Sequence, residues 1–240
     1  MCGLAGLIWR DVDRPAAGDL IRAMTDIMAH RGPDDEGHWT RGPVALGHRR
    51  LSILDLSSAG HQPMQSADGR FVVVYNGEIY NYLELRAELE KGGQTFFSHS
   101  DTEVLIESYR KWGRECVERF NGMWAFALYD IAAGEIFFSR DRFGIKPLYY
   151  TLRPDCLAFA SEIKAILAAL PDERRVNEAV IHHFLPSGAL DDGPETFLAG
   201  VKQLPPAHSA LYKVRSGDFR VWRFWDLDPE AFRARRLGGD

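Results

Sequence analysis

The sequence predicts an α+β protein in which antiparallel β layers are covered by helices, and three observations carry that expectation. Short β-branched and aromatic runs, such as Phe71-Val72-Val73-Val74-Tyr75, outnumber amphipathic helical stretches. The strand-like runs cluster. Met123 to Tyr129, Glu135 to Ser139, Pro147 to Thr151 and Cys156 to Ala160 follow one another with Gly and Asp punctuation, rather than alternating with helices. The chain of 240 residues, 45% hydrophobic and 26% charged, is also long enough to bury the core of one large domain or two small ones.

A formal net charge of −5 leaves no excess of cations to meet a polyphosphate, so no nucleic-acid partner is expected. Residues 2–9 are apolar, but no basic segment precedes them and Arg10-Asp11-Val12-Asp13 follows, which is not the pattern of a secretory leader. No apolar stretch approaches the roughly 20 residues a membrane-spanning helix needs, so no membrane association is expected. Cys2, Cys116 and Cys156 are odd in number and far apart. That spacing points to a reducing, cytoplasmic setting and away from a disulfide framework or a CxxC metal site, and no metal ligands are assigned.

Taken in order, Cys2 to Trp9 reads as a strand in which Gly3 and Gly6 permit close approach of backbone or ligand. Leu20, Ala23, Met24, Ile27 and Met28 fall at helical spacing within residues 19–29. His30-Arg31-Gly32-Pro33-Asp34 ends that helix, and His30 reads as a cap residue rather than a catalytic one. Val44 to Leu51 is a strand that runs through Arg49-Arg50 into Leu51-Ser52-Ile53. Alternation lets only one of the two arginines point inward. The pair reads either as a solvated edge or as a receptor for a carboxylate, whose oxygens a guanidinium fork matches. Residues 57–63 have the composition of a surface loop, and His61 is given no chemistry.

The run at 71–75 ends at Asn76-Gly77, a pair that commonly closes a hairpin. A helical pattern follows instead, with Tyr82, Leu85 and Leu89 on one face, so residues 75–81 read as a loop joining strand to helix. The Asn76 amide and the Gly77 N–H would there supply two neutral donors suited to an oxyanion. Further on, Ser100 and Glu103 have capping-box spacing before a helix that carries Leu105, Tyr109 and Trp112 on one stripe. This puts Asp101 in the first turn, where a carboxylate suits the helix dipole; it can also face a pocket and meet an ammonium.

Arg140-Asp141-Arg142 and the following Phe143 to Tyr150 read as scaffold. Two short helices are expected at 162–170 and 177–185, then a β-like pair at 208–214 and 219–225. Residues 226–240 lose apolar periodicity and read as a linker or frayed end.

If Met1 is removed, which a small second side chain permits, Cys2 carries a thiol and a free α-amine on one Cα. A thiol with a pKa near about 8.5 is a few per cent thiolate at neutral pH, whereas an α-amine titrates at about 7.7–8.0. The proton can pass from sulfur to nitrogen at little cost and return later to a leaving group. By itself Cys2 is also compatible with an ordinary buried cysteine in an early strand. The donor pair at 76–77 is what favours a nucleophile.

Seven segments carry a resemblance: Met1-Cys2-Gly3-Leu4-Ala5-Gly6, HRGPD at 30–34, RLSILDLS at 50–57, YNGEIYN at 75–81, SDTE at 100–103, NGMWAFALYD at 121–130 and RDRFGIKPLYY at 140–150. Together they are similar to the glutaminase domain of the asparagine synthetase family, class II glutamine amidotransferases with an N-terminal nucleophile. The likeness implies a four-layer α/β/β/α sandwich of antiparallel sheets, with residues 1–225 as the amidotransferase domain. It implies hydrolysis of L-glutamine to glutamate and ammonia through a Cys2 thioester, with Asn76 and Gly77 holding the oxyanion. Arg50 would grip the substrate α-carboxylate, Asp101 with Glu78 would bind its α-ammonium, and Leu51 and backbone around Ile53 would line the pocket.

No metal or cofactor is expected for this half-reaction. Relatives also carry a synthetase region whose Ser-Gly-Gly-x-Asp loop grips ATP; neither that loop nor a Walker pattern occurs here. ATP and Mg are therefore expected only on a synthetase domain or subunit absent from this sequence, with residues 226–240 leading toward it. A homodimer is compatible with the resemblance. The alternatives are a catalytically silent scaffolding or regulatory subunit of the same fold, or an ammonia donor to a different amide-forming enzyme.

Overall fold

Runs with apolar residues on both faces become central strands, and the chain lays them into two six-stranded sheets. The computed structural model describes residues 1–189 and 193–227. In order these form β1 (Gly3–Trp9), α1 (Gly18–Asp26), β2 (Asp35–Arg41), β3 (Val44–Arg50), β4 (Met64–Gln65), β5 (Phe71–Ile79), α2 (Tyr82–Lys91), α3 (Asp101–Trp112) and α4 (Cys116–Arg119). The second half contains β6 (Gly122–Asp130), β7 (Glu135–Arg140), β8 (Tyr149–Leu152), β9 (Cys156–Ala160), α5 (Ile163–Ala169), α6 (Glu178–Ser187), β10 (Lys202–Gln203), β11 (His208–Lys213) and β12 (Phe219–Arg223). One sheet has the order β10-β8-β9-β1-β3-β2 and the other β12-β11-β7-β6-β5-β4. All their pairings are antiparallel.

Strand alternation sorts the side chains into three apolar layers. Leu4 and Ile8 of β1, Val44 and Leu46 of β3, and Val72 and Val74 of β5 meet between the sheets. Their neighbours on the opposite face of β1, Ala5 and Leu7, pack with Ile21 and Met24 of α1 and Ile166 of α5. Phe71, Val73 and Tyr75 turn the other way, toward Leu85 and Leu89 of α2 and Leu105 and Tyr109 of α3. The result is a four-layer α/β/β/α sandwich of the α+β class. No helix among the described residues is long and apolar enough to cross a membrane.

The structure corrects several expected elements. Residues 75–81 are not a loop: β5 continues through Ile79, paired with β6 from Phe71 opposite Asp130 to Ile79 opposite Gly122. Gly77 takes no positive φ, so the Asn-Gly pair makes no turn. A remote partner strand overrides local turn propensity here. β2 is a largely exposed edge strand that no apolar alternation announced. His30 caps no α-helix, because α1 ends at Asp26 and His30 lies in a 3-10 turn with Nε2 2.9 Å from Glu162. The capping box is half built: Ser100 Oγ accepts the Thr102 N–H, but the Glu103 carboxylate accepts from the N–H groups of Phe97 and Ser98 instead of Ser100. Of the expected linker, residues 228–240 lie outside the described residues.

A buried polar side chain of one sheet reaches across to the other. His48 of β3 is fully buried and its Nε2 donates to the Tyr75 carbonyl of β5 at 2.9 Å. Burial pushes its pKa down to about 4. An unfolded histidine titrates near about 6.5, so between these values the unfolded chain binds more protons than the folded one. Stability is therefore expected to be fully present above pH 6.5 and to fall as pH drops toward 4, by about 3 kcal/mol in all. Urea unfolding at pH 7 and pH 4.5 measures the loss, and His48→Gln should flatten it; an unchanged slope in that variant would assign the loss to other groups.

Candidate active site

The short strand β4 stops opposite Val73, so beyond that point no strand among the described residues lies beside the outer edge of β5. Alternate residues turn their backbone groups toward this edge. The Tyr75 N–H is taken by Gln62 Oε1 at 2.7 Å and the Ile79 N–H by Asp101 Oδ2 at 2.9 Å. By the same alternation the Gly77 N–H, between them, faces the same side. A Cβ on Gly77 would lie 2.4 Å from the Met123 carbonyl oxygen and 2.6 Å from the Tyr75 ring, so only glycine fits. Asn76 turns its side chain to the inter-sheet face, where it is 1% exposed and its Nδ2 has no hydrogen-bond partner among the described residues. A buried donor left unpaired is costly and points to an acceptor that arrives with a ligand.

This edge walls a cavity of about 270 Å³. The structure brings to it every residue singled out from the sequence: Cys2 ahead of β1, Arg50 at the end of β3, Leu51 and Ile53 beyond it, Asn76, Gly77 and Glu78 of β5, and Asp101 at the start of α3. Cys2 Sγ accepts the Leu51 N–H at 3.4 Å and donates toward the Leu51 carbonyl at 3.6 Å. The Cys2 carbonyl accepts from Arg31 Nε at 2.8 Å, while Met1 is exposed. With Met1 attached, the Cys2 nitrogen is a peptide nitrogen. Burial pushes the Cys2 thiol up, opposed by the Leu51 N–H and by positive charge at the chain start, Arg50 and Lys146.

The paired arginines divide as alternation requires. Arg49 points outward to Asp26 and Glu36, and Arg50 points inward, 6% exposed. Its guanidinium donates to the carbonyls of Ser57 at 3.0 Å, Leu54 at 3.3 Å and Asp55. The Asp101 carboxylate is buried and accepts from Tyr75 Oη at 2.9 Å as well as from Ile79. Burial raises its pKa and the nearby Glu78 adds to the rise, while those two hydrogen bonds oppose it. One cavity thus offers a guanidinium, two carboxylates, a thiol and two uncommitted donors, a set that matches the charges of an α-amino acid and an oxygen near the thiol.

Sequence reasoning missed Gln62 and Lys146, which also line the cavity. Residues 57–63 are not merely a surface loop, since Gln62 is buried against β5. Nor is the segment at 140–150 only scaffold. The Asp141 carboxylate accepts the N–H groups of Trp124, Phe143, Ile145 and Lys146, which bends the segment and carries Lys146 inward. Asp141 followed by Gly144 was the available cue to such a turn. A larger cleft of about 650 Å³ lies beside α6, but no cysteine or arginine is among the described residues that line it. Among the described residues no group of three or more His, Cys, Asp or Glu side chains is placed to hold a metal ion.

The sequence pattern of one family, described as a glutamine amidotransferase domain, matches residues 1–225. The chain belongs to this family. Asparagine synthetase [glutamine-hydrolyzing] 3 of Bacillus subtilis is 36% identical to this amidotransferase domain over 234 residues, covering 96% of the chain and 37% of that protein. Putative asparagine synthetase [glutamine-hydrolyzing] 2 of Methanocaldococcus jannaschii is 35% identical over 249 residues, covering 95% of the chain and 47% of that protein. The chain therefore spans less than half the length of these curated relatives. The solved structure of glutamine phosphoribosylpyrophosphate amidotransferase from B. subtilis, complexed with ADP and GMP, matches in fold with a TM-score of 0.69 at 19% identity, over 94% of this chain and 50% of that one.

The hydrogen bonds of Arg50 make it the anchor of residues 51–58. Since bonds to a charged group contribute about 1.5–3 kcal/mol each, Arg50→Ala should speed amide hydrogen exchange across that segment by about tenfold or more. Arg49→Ala should leave it unchanged. Exchange followed by mass spectrometry checks both, and equal rates in the two variants would remove Arg50 as the anchor.

Proposed function

We propose that this domain hydrolyses L-glutamine to glutamate and ammonia through a thioester on Cys2, and that the ammonia serves an ATP-dependent amidation of the asparagine synthetase type. The observation that carries the reading is the unpartnered, buried Asn76 amide in the same cavity as Cys2, Arg50 and Asp101. Removal of Met1 turns the Cys2 nitrogen into an amine. The thiol passes its proton to that amine, and Sγ attacks the side-chain amide carbon of glutamine. The carbonyl oxygen becomes an oxyanion that accepts from Asn76 Nδ2 and the Gly77 N–H.

The protonated amine then gives its proton to the departing nitrogen, so the C–N bond breaks, ammonia leaves and a thioester remains. Water, losing its proton to the same amine, opens the thioester through a second oxyanion on the same donors, and glutamate and the thiol are restored. Arg50 receives the α-carboxylate, and Asp101 and Glu78 receive the α-ammonium. That ammonium offsets the burial that raises the Asp101 pKa.

These steps use this chain's groups, the substrate and water. ATP and Mg belong to a synthetase domain or subunit. Most of the length of the relatives named asparagine synthetase lies outside the part matched here, which supports such a destination for the ammonia. A reducing cytoplasm, which keeps the three cysteines as thiols, goes with this reading, and a homodimer is compatible with it.

Cys2→Ser should lose nearly all glutamate release while glutamine still binds. Asn76→Ala should lower kcat by about 10²- to 10³-fold, the loss expected for one oxyanion donor. A glutamate-release assay on protein with a sequenced N-terminus reads both. Wild-type turnover in Cys2→Ser would overturn the reading.

A further inference from the structure

Resting on the glutaminase reading, we infer that His48 is a positioning residue of the oxyanion hole: it holds the Tyr75 carbonyl and so fixes how Asn76 and Gly77 present their donors. β6 secures one edge of β5 throughout. On the other edge, Tyr75 turns both its backbone groups away from β6, past the end of β4, and two side chains meet them. Gln62 Oε1 accepts its N–H at 2.7 Å and His48 Nε2 donates to its carbonyl at 2.9 Å. The Tyr75 carbonyl shares a planar peptide unit with the Asn76 nitrogen, so holding the carbonyl sets the plane from which Asn76 projects. Gly77 follows directly.

The cost of keeping an imidazole there argues for a role beyond filling space. His48 is 0% exposed and its Nδ1 has no hydrogen-bond partner among the described residues. A buried polar atom without a partner is unfavourable, and an aliphatic side chain would occupy the site without that cost. The Nε2 bond to Tyr75 is the polar interaction that offsets it. In β3, His48 pairs with Leu4 of β1 on one side and Gly37 of β2 on the other, which places it in the interior of its sheet. Arg50 is two positions along the same strand and therefore on the same face. His48 thus ties the strand that ends in the proposed carboxylate receptor to the strand that carries the oxyanion donors, and sets their relative register.

The test uses the chain with Met1 removed and compares His48→Asn with His48→Gln. Both variants carry an amide, but only Gln extends its nitrogen as far as the Nε2 of His48. H48N is expected to lower kcat for glutamine about tenfold or more with KM changed less than about threefold, since small misplacement of donors acts on the transition state rather than on substrate binding. H48Q is expected to recover most of the loss. Thermal melts verify folding, and if H48N does not fold, His48→Met, which fills the volume without a donor, replaces it in the comparison. Wild-type kcat in the donor-lacking variant, or a rise in KM by the same factor as the fall in kcat, would overturn the inference and leave the glutaminase reading standing. Absence of glutamate release from the wild-type chain would overturn the glutaminase reading and this inference with it.

Discussion

A sheet edge buried inside a protein leaves a row of backbone donors and acceptors that must find partners, and the site follows from how β5 meets that demand. Its neighbour β4 is two residues long. Past Val73 the missing strand is replaced piecemeal by Gln62 from the loop before β4, His48 from the opposite sheet and Asp101 from the head of α3. Each lost partner would leave a buried group unsatisfied at about 1–3 kcal/mol. Because the three substitutes come from three different elements, the Tyr75 and Ile79 groups on this edge are satisfied only when both sheets and α3 are in place. Assembly of the sandwich and construction of the cavity are one event.

The same side chains that offer charge to a solute also hold the walls. Arg50 fastens the carbonyls of residues 54, 55 and 57, and Asp101 receives the Tyr75 hydroxyl and the Ile79 N–H. Fixed in this way, neither group has to reorganise far to meet an ion of opposite sign. Such fixed groups are what makes polar stabilisation effective in a site from which water is largely excluded. The Asn76 amide stands apart, because no group among the described residues pairs with its Nδ2.

Much of this was legible in the residues. Phe71 to Tyr75 reads as a strand because it is apolar on both faces, and both faces are covered, by α2 and α3 on one side and by the other sheet on the other. For Arg49 and Arg50, alternation says only that one of them faces in; that it is Arg50 was implied by the resemblance of the RLSI segment to the family. What stayed hidden depends on contacts remote in sequence. Asn76-Gly77 carries every local mark of a turn, and only the nine-residue pairing with β6 keeps it extended. Gln62 and His48 show no periodic or compositional signal, since their importance lies in one carbonyl and one amide of Tyr75. Lys146 was obscured by the charge cluster before it, whose aspartate folds the segment back on itself.

Arg31 grips Cys2 by its carbonyl, downstream of the bond that joins Met1 to the rest of the chain, and β1 is zipped into its sheet from Gly3 onward. These contacts therefore sit on the side of the cysteine that the proposed removal of Met1 would leave intact. In the proposed reading, removal of Met1 would change the charge on one nitrogen and leave these contacts in place.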